Sequence, residues 1–159
     1  MTPPCARALH QRRYNTILRA SSGKVEFFKQ QVADLCKGNP YSTTLHMINA
    51  ALTTLAALSD CQFVYRGVSG GILPESFHEP SPVDKFRGGV EYGFMSTTHD
   101  KEVAMEYAKG GGGLVFEMYM GMVDKGANLG PLSQYPHECE MCSSPGSHAR
   151  PAPTPLCCL

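Results

Sequence analysis

The sequence predicts an α+β fold, because two helical patterns come first in the chain and short strand patterns follow them. Apolar residues repeat at helical spacing over residues 24–36 and 41–58. Residues 61–67, 91–98 and 114–123 are instead short runs with aromatic and aliphatic residues, which is typical of strands. A chain of 159 residues, 42% of them apolar, is long enough for one domain with its own core.

The two ends of the chain differ from this central part. Residues 1–23 have no sustained hydrophobic period and are predicted to be a flexible lead-in. Residues 142–159 are rich in Ser, Pro, Gly and Cys, and their prolines exclude a central strand, so a disordered tail is predicted there. The folded domain is therefore expected over residues 24–141.

The helices should have identifiable ends and faces. Ser42 is the candidate N-cap of the helix predicted over residues 41–58. A further helix is predicted over residues 100–109, and its apolar residues Val103, Ala104 and Tyr107 are expected to face inward.

The strand predicted over residues 91–98 ends in three hydroxyl residues, Ser96, Thr97 and Thr98. A buried hydroxyl without a partner costs about 1–3 kcal/mol, so these groups should cap the next helix or face a polar ligand. Thr98, or His99 and Asp100 after it, can serve as the cap. Ser96 lies too early for that role, and it is therefore a candidate ligand contact.

Two further candidates lie on other predicted strands. Arg66 ends the strand over residues 61–67, where its alternative role is to cover apolar surface with its stem and keep its charge in water. Glu138 and Glu140 begin a segment that is predicted to be extended, which would point both carboxylates to one side. A solvated carboxylate pair at a loop edge is the alternative.

Together, Arg66, Ser96 and the Glu138-x-Glu140 pair resemble the arginine, serine, Glu-x-Glu signature of the arginine-type mono-ADP-ribosyltransferases. The matching pieces are residues 65–67, 93–98 and 133–140. The resemblance implies N-terminal helices packed on small, mostly antiparallel sheets that flank an NAD cleft. The family's final strands are expected to be missing, because Ser-Ser-Pro-Gly follows Cys142.

The resemblance also implies roles for the NAD-binding residues. Arg66 would bind the pyrophosphate of NAD through its planar, permanently charged guanidinium. The backbone of Gly67 would contact the nicotinamide amide, and Ser96 would hold Glu140 by a hydrogen bond. Thr97 is assigned to the same NAD contacts. Glu140 would hydrogen-bond the ribose and stabilise its positive charge in the transition state.

The acceptor side is assigned in the same way. Glu138 would orient the acceptor guanidinium and help to deprotonate it, since a free arginine is a poor nucleophile. Tyr135 would be the aromatic residue of the loop that presents the acceptor. The implied activity is transfer of ADP-ribose from NAD, with NADP as an alternative donor, to a protein with an accessible arginine.

Two other functions remain open at this stage. If the final strands are missing, Glu140 would lack support and activity would be reduced or abolished. The chain would then be a catalytically decayed module that binds NAD or a partner. His137, Cys139, Cys142 and His148 form an H-x-C-x2-C-x5-H pattern that could instead build a zinc-stabilised interaction domain. The predicted transferase activity requires no metal.

Charge and cysteine content set limits on partners and compartment. The first 25 residues carry five basic residues and no acid, whereas the remainder has nine basic and fourteen acidic residues. This faintly acidic body does not indicate a nucleic-acid partner, and no run of about 20 apolar residues predicts a membrane span. Seven scattered cysteines suggest reduced thiols, so a cytoplasmic location is predicted, with an organelle transit segment as the weaker alternative.

Overall fold

The computed structural model describes residues 6–22, 26–60, 62–80, 82, 85, 88–121 and 124–149; the side chains of residues 6–11, 76, 148 and 149 are not among them. The helices are α1 (Ala6–Ser21), α2 (Glu26–Cys36), α3 (Ser42–Ala56), α4 (Glu75–His78) and α5 (Lys101–Ala108). The strands are β1 (Phe63–Val68), β2 (Gly89–Glu91), β3 (Met95–Thr98), β4 (Leu114–Tyr119), β5 (Ala127–Asn128), β6 (Glu140–Ser143) and β7 (Ser147–Ala149). The predicted α+β class is confirmed.

Five of these strands form one antiparallel sheet in the order β4-β1-β3-β6-β5, and β2 pairs with β7 in a second, smaller sheet. β1 pairs with β4 along its whole length. In contrast, β1 pairs with β3 at a single position, where Tyr65 lies opposite Thr98. The two strands therefore diverge beyond this pair, and a gap opens in the middle of the sheet between Arg66 and Ser96.

The core consists of two apolar clusters. Leu52 of α3, Phe94 and Ala127 form the first, against which residues of α1 and α3 pack, namely Tyr14, Leu18, Leu45, Ile48 and Leu55. Val64, Met120 and Met141 form the second, with Met118 packed against it. Val64 thus anchors β1 and Met141 anchors β6 in the core, whereas Phe94 anchors the chain just before β3.

The N-terminal prediction is wrong for residues 6–21, which form helix α1 instead of a flexible lead-in. Residues 1–5 and 23 lie outside the described part of the chain. Periodicity does not reveal α1, because its apolar residues follow no sustained helical pattern and polar contacts bind it to the segment before β3. Asn15 and Arg19 make these contacts. The boundary at residue 24 is therefore too late in the chain.

The C-terminal prediction is wrong for residues 142–149. β6 lies between β3 and β5 and is paired on both sides, and Met141 in it is fully buried. Pro145 and Gly146 do not end the fold but make the turn to β7, where the Gly146 N–H donates to the Glu91 carbonyl at 2.9 Å. The strand that carries Glu140 is consequently supported; residues 150–159 are not described.

The structure differs from several local predictions of strand bounds, helix caps and exposure. The strand predicted over residues 91–98 is shorter in the structure: β3 covers only Met95–Thr98, and Glu91 belongs to β2 in the other sheet. Ser42 does not cap α3: the N-cap is Tyr41, with φ 49°, and its side chain makes no capping hydrogen bond. Asp100 caps α5 by accepting a hydrogen bond from the Glu102 N–H at 2.8 Å, as one of the predicted options. Tyr107 was expected inside and is instead 59% exposed.

No helix in the part of the chain that the structure describes is long and apolar enough to cross a membrane.

Candidate active site

The gap between β1 and β3 opens into a cleft of about 300 Å³, at the lower end of the usual range for ligand sites. Its walls come from β1, β3, α5 and the segment that leads into β6. The residues predicted to bind NAD or the acceptor all line it, namely Arg66, Gly67, Ser96, Thr97, Tyr135, Glu138 and Glu140. Three distant parts of the chain therefore meet around one space, although their roles stay predictions.

The closest contact in the cleft joins Ser96 to Glu140. The Ser96 hydroxyl donates a hydrogen bond of 2.7 Å to Glu140 Oε1. The strand register explains this contact: Ser96 lies opposite Cys142 and Thr98 opposite Glu140, so the two side chains are diagonal neighbours on one face of the sheet. The hydrogen bond fixes the direction in which the carboxylate points.

Arg66 spans the gap where β1 and β3 diverge. Its Nη1 donates to the Ser96 carbonyl oxygen at 2.8 Å. Burial lowers the pKa of Arg66, the Glu91 carboxylate opposes that effect and the charge of Arg19 adds to it. A guanidinium nevertheless keeps its charge in proteins, and it has five N–H donors. Arg66 can therefore hold β3 in place and still bind an anion in the cleft.

Glu138 and Glu140 reach the cleft by a different backbone path from the predicted one. The segment before β6 is not extended: Pro136–Glu138 is a 3-10 turn, and Cys139 has a left-handed conformation with φ 46°. The alternation argument for the two carboxylates is therefore wrong, yet both line the same cleft. The turn is held by the Thr98 hydroxyl, which donates to the Glu138 carbonyl at 2.7 Å.

Thr97 and Gly67 line the cleft without pointing a side chain into it. The Thr97 side chain lies on the sheet face opposite to that of Ser96, because residues alternate along a strand. Its hydroxyl donates to the Met141 carbonyl at 3.2 Å. A side chain at Gly67 would collide with the Ala104 carbonyl of α5, so glycine at this position permits the close approach of helix and strand.

Sequence reasoning missed a polar clamp between α1 and the segment before β3. Arg19 Nε and Nη2 donate to the two oxygens of Glu91 at 2.9 and 2.8 Å, and the Gly93 N–H donates to the same carboxylate at 2.8 Å. The Asn15 side chain bonds both backbone groups of Phe94. The available signal was the spacing of four between Asn15 and Arg19, which places them on one helix face.

We expect Glu91→Gln to destabilise the fold by about 1–2 kcal/mol at pH 7, because it weakens two charge-assisted hydrogen bonds from a half-buried Arg19. Burial acts to raise the pKa of Glu91, but the hydrogen bonds from Arg19 and Gly93 and the nearby positive charges outweigh burial and lower it below its ordinary 4.5. A carboxyl group whose pKa is lower in the folded than in the unfolded protein stabilises the fold at pH values above its unfolded pKa. The difference from wild type should therefore be complete above pH 4.5 and shrink as the pH falls further.

Urea unfolding at pH 7 and in a series down to pH 3 measures this difference. Glu26→Gln is the matched control, since the exposed Glu26–Lys29 pair should contribute less than about 1 kcal/mol. A Glu91→Gln difference that stays constant across the series would contradict the assignment to the Glu91 charge.

The residues of the alternative zinc pattern do not form a metal site among the side chains that the structure describes. No group of three or more His, Cys, Asp or Glu residues in that set is arranged to hold a metal ion, and the His148 side chain is outside it. Burial, with the charge of Glu140, raises the pKa of the Cys142 thiol to about 12. This buried thiol would have to lose its proton to bind zinc, since the thiolate is the ligand.

Comparison with known proteins identifies the family. The sequence model of the NAD:arginine ADP-ribosyltransferases matches residues 14–147. This match covers most of the chain, so the chain belongs to the NAD:arginine ADP-ribosyltransferase family. No curated protein matches it.

Solved structures of ADP-ribosyltransferases share the fold. HopU1 of Pseudomonas syringae pv. Tomato DC3000 is 27% identical with a TM-score of 0.55, and the alignment covers 69% of this chain and 46% of HopU1. Vis, solved with an inhibitor, is 23% identical with a TM-score of 0.57, and the alignment covers 89% of this chain and 59% of Vis. The chain thus spans about half the length of these two proteins.

Proposed function

We propose that this protein transfers ADP-ribose from NAD to an arginine of another protein and releases nicotinamide. The observation that carries the proposal is the cleft in which Ser96 orients Glu140, with Arg66 on one side and Glu138 on the other. Family membership supports NAD as the donor. NADP is the alternative donor.

Binding of NAD would use the β1 side of the cleft. The pyrophosphate would accept hydrogen bonds from the guanidinium N–H groups of Arg66 that do not contact Ser96. The nicotinamide amide would lie against the backbone of Gly67, which lines the cleft. This placement would bring the bond between nicotinamide and ribose toward Glu140.

Cleavage of that bond would be assisted by Glu140. As nicotinamide leaves with the bonding electron pair, positive charge develops on the ribose. A fixed carboxylate stabilises such charge without reorganising, and a hydrogen bond from the ribose 2-hydroxyl to Glu140 strengthens as the charge grows. The Ser96 hydroxyl occupies Glu140 Oε1 and so keeps the carboxylate in one orientation.

The acceptor arginine would approach from the Glu138 side. Glu138 would take a proton from the acceptor guanidinium and expose a nitrogen lone pair that attacks the ribose. Tyr135 is 51% exposed beside this residue and packs edge-on against His137, with ring centroids 6.0 Å apart. It would contact the surface around the acceptor arginine.

We expect Glu138→Gln to lower ADP-ribosylation of agmatine at least about 100-fold, because the amide cannot accept the guanidinium proton. Nicotinamide release without an acceptor should change by less than about threefold, since Glu140 and Ser96 remain. Both reactions can be followed with labelled NAD. The exposed Glu75→Gln variant is the control for removal of one carboxylate.

Equal loss of both reactions in Glu138→Gln would contradict the acceptor role of Glu138. Binding of NAD by the wild-type protein without any nicotinamide release would instead favour the non-catalytic module.

We also propose that the protein resides in the cytoplasm. The described cysteines Cys36, Cys139 and Cys142 are free thiols, which supports a reducing, cytoplasmic environment. Exclusive recovery of the protein from an oxidising compartment would contradict this.

A further inference from the structure

A tyrosine on α5 contacts Glu138 across the cleft. The Tyr107 hydroxyl donates a hydrogen bond of 3.1 Å to Glu138 Oε1. Tyr107 lies in the last turn of α5, whereas Glu138 ends the turn that leads to β6. The contact therefore links two walls that come from distant parts of the chain.

This contact acts on the Glu138 side chain and not on its backbone. Two other hydrogen bonds already hold the backbone: the Thr98 hydroxyl donates to the Glu138 carbonyl at 2.7 Å, and the Glu138 N–H donates to the Tyr135 carbonyl at 3.0 Å. The Glu138 side chain has several rotatable bonds and would otherwise sample many positions. The Tyr107 hydroxyl, which donates from the opposite wall of the cleft, selects one of these side-chain positions.

The hydroxyl is suited to remain a donor at neutral pH. Partial loss of water around its hydroxyl raises the pKa of Tyr107 above its ordinary 10 although the side chain is 59% exposed, and its hydrogen bond to Glu138 and the charges of Glu138 and Glu140 raise it further. Tyr107 therefore keeps its proton at neutral pH and can donate it to the hydrogen bond with Glu138.

We propose that Tyr107 is a positioning residue that directs Glu138 toward the acceptor guanidinium and thereby sets how the ADP-ribosyl group divides between arginine and water. The inference rests on the proposed function. In both reactions the carbon–nitrogen bond to nicotinamide breaks and its electron pair leaves with nicotinamide. Transfer then forms a new carbon–nitrogen bond from the guanidine, whose proton passes to Glu138. Hydrolysis forms a carbon–oxygen bond from water, which releases its proton to solvent.

The test is Tyr107→Phe, which keeps the ring and removes the hydroxyl. We expect kcat/KM for agmatine to fall about five- to tenfold, which corresponds to one lost hydrogen bond of typical net strength, because the contact is exposed. Hydrolysis of NAD in the absence of agmatine, and the KM for NAD, should stay within about twofold of wild type. Tyr119→Phe is the matched control, because Tyr119 is an exposed tyrosine on β4 outside the residues that line the cleft.

The ratio of transfer to hydrolysis distinguishes positioning from a structural role. An equal fall in both rates, or an unchanged ratio, would overturn the inference while leaving the proposed function intact. A wild-type protein that hydrolyses NAD but does not modify agmatine would overturn the arginine acceptor and this inference together. If the Tyr107→Phe and Tyr119→Phe variants unfold at the same temperature as the wild type, misfolding is excluded as the cause of a lower transfer rate.

Discussion

Replacing Glu140 by Gln should lower nicotinamide release from NAD about 100- to 1,000-fold, with or without an acceptor. The amide has almost the shape of the carboxylate and can still accept a hydrogen bond from the Ser96 hydroxyl, which donates at 2.7 Å in the native site. What the substitution removes is the negative charge opposite the developing positive charge of the ribose. Loss of one fixed electrostatic contact of this kind typically costs two to three orders of magnitude in kcat. Release of labelled nicotinamide measures the effect.

Glu79→Gln is the matched control for Glu140→Gln, since Glu79 is exposed and outside the residues that line the cleft. It should retain wild-type turnover. The Glu140→Gln variant should also unfold at the wild-type temperature, because Met141 and the pairing of β6 with β3 and β5 are untouched. A Glu140→Gln variant with wild-type turnover would mean that another group stabilises the ribose.

Gly67→Ala should be the most destabilising of the substitutions considered. An added Cβ would collide with the Ala104 carbonyl oxygen of α5 and would lie 3.0 Å from the Ala108 nitrogen. Both are backbone atoms, so the helix must move as a whole. We expect a loss of about 3 kcal/mol and a fall of about 10 °C in melting temperature. Thermal unfolding measures the loss.

The same shift of α5 should impair catalysis, because the helix carries Tyr107 and forms a wall of the cleft. Gly121→Ala is the control: a Cβ there would meet no atom within 4 Å, so this variant should be nearly as stable as wild type. A Gly67→Ala protein as stable as the Gly121→Ala protein would contradict the close packing of α5 on β1 at Gly67.

The sequence predicted the parts of the site that depend on short motifs. Arg66, Ser96 and Glu140 were identified because each ends or begins a strand with an unusual polar residue, and Asp100 because capping chemistry is local. Their meeting in one cleft depends on strand order. Strand order was available from the family resemblance and not from periodicity.

The parts that the sequence did not predict depend on contacts between distant polar residues. Asn15 and Arg19 bind residues more than 70 positions away, and the helix that carries them has no sustained apolar period. The left-handed Cys139 bends the chain between Glu138 and Glu140, although nothing in a Glu-Cys-Glu sequence requires this. The proline and glycine after Cys142 suggested disorder, but here they form the turn to a strand that pairs with β2.

The central claim is that Arg66, Ser96 and Glu140 surround one molecule of NAD and promote the loss of its nicotinamide. Incubation of the purified wild-type chain with NAD labelled in the nicotinamide ring tests it most directly. We expect free nicotinamide to accumulate with time, in proportion to the amount of protein and faster when agmatine is added. Nicotinamide release no faster than in buffer alone, from a chain that is folded by circular dichroism, would contradict the claim.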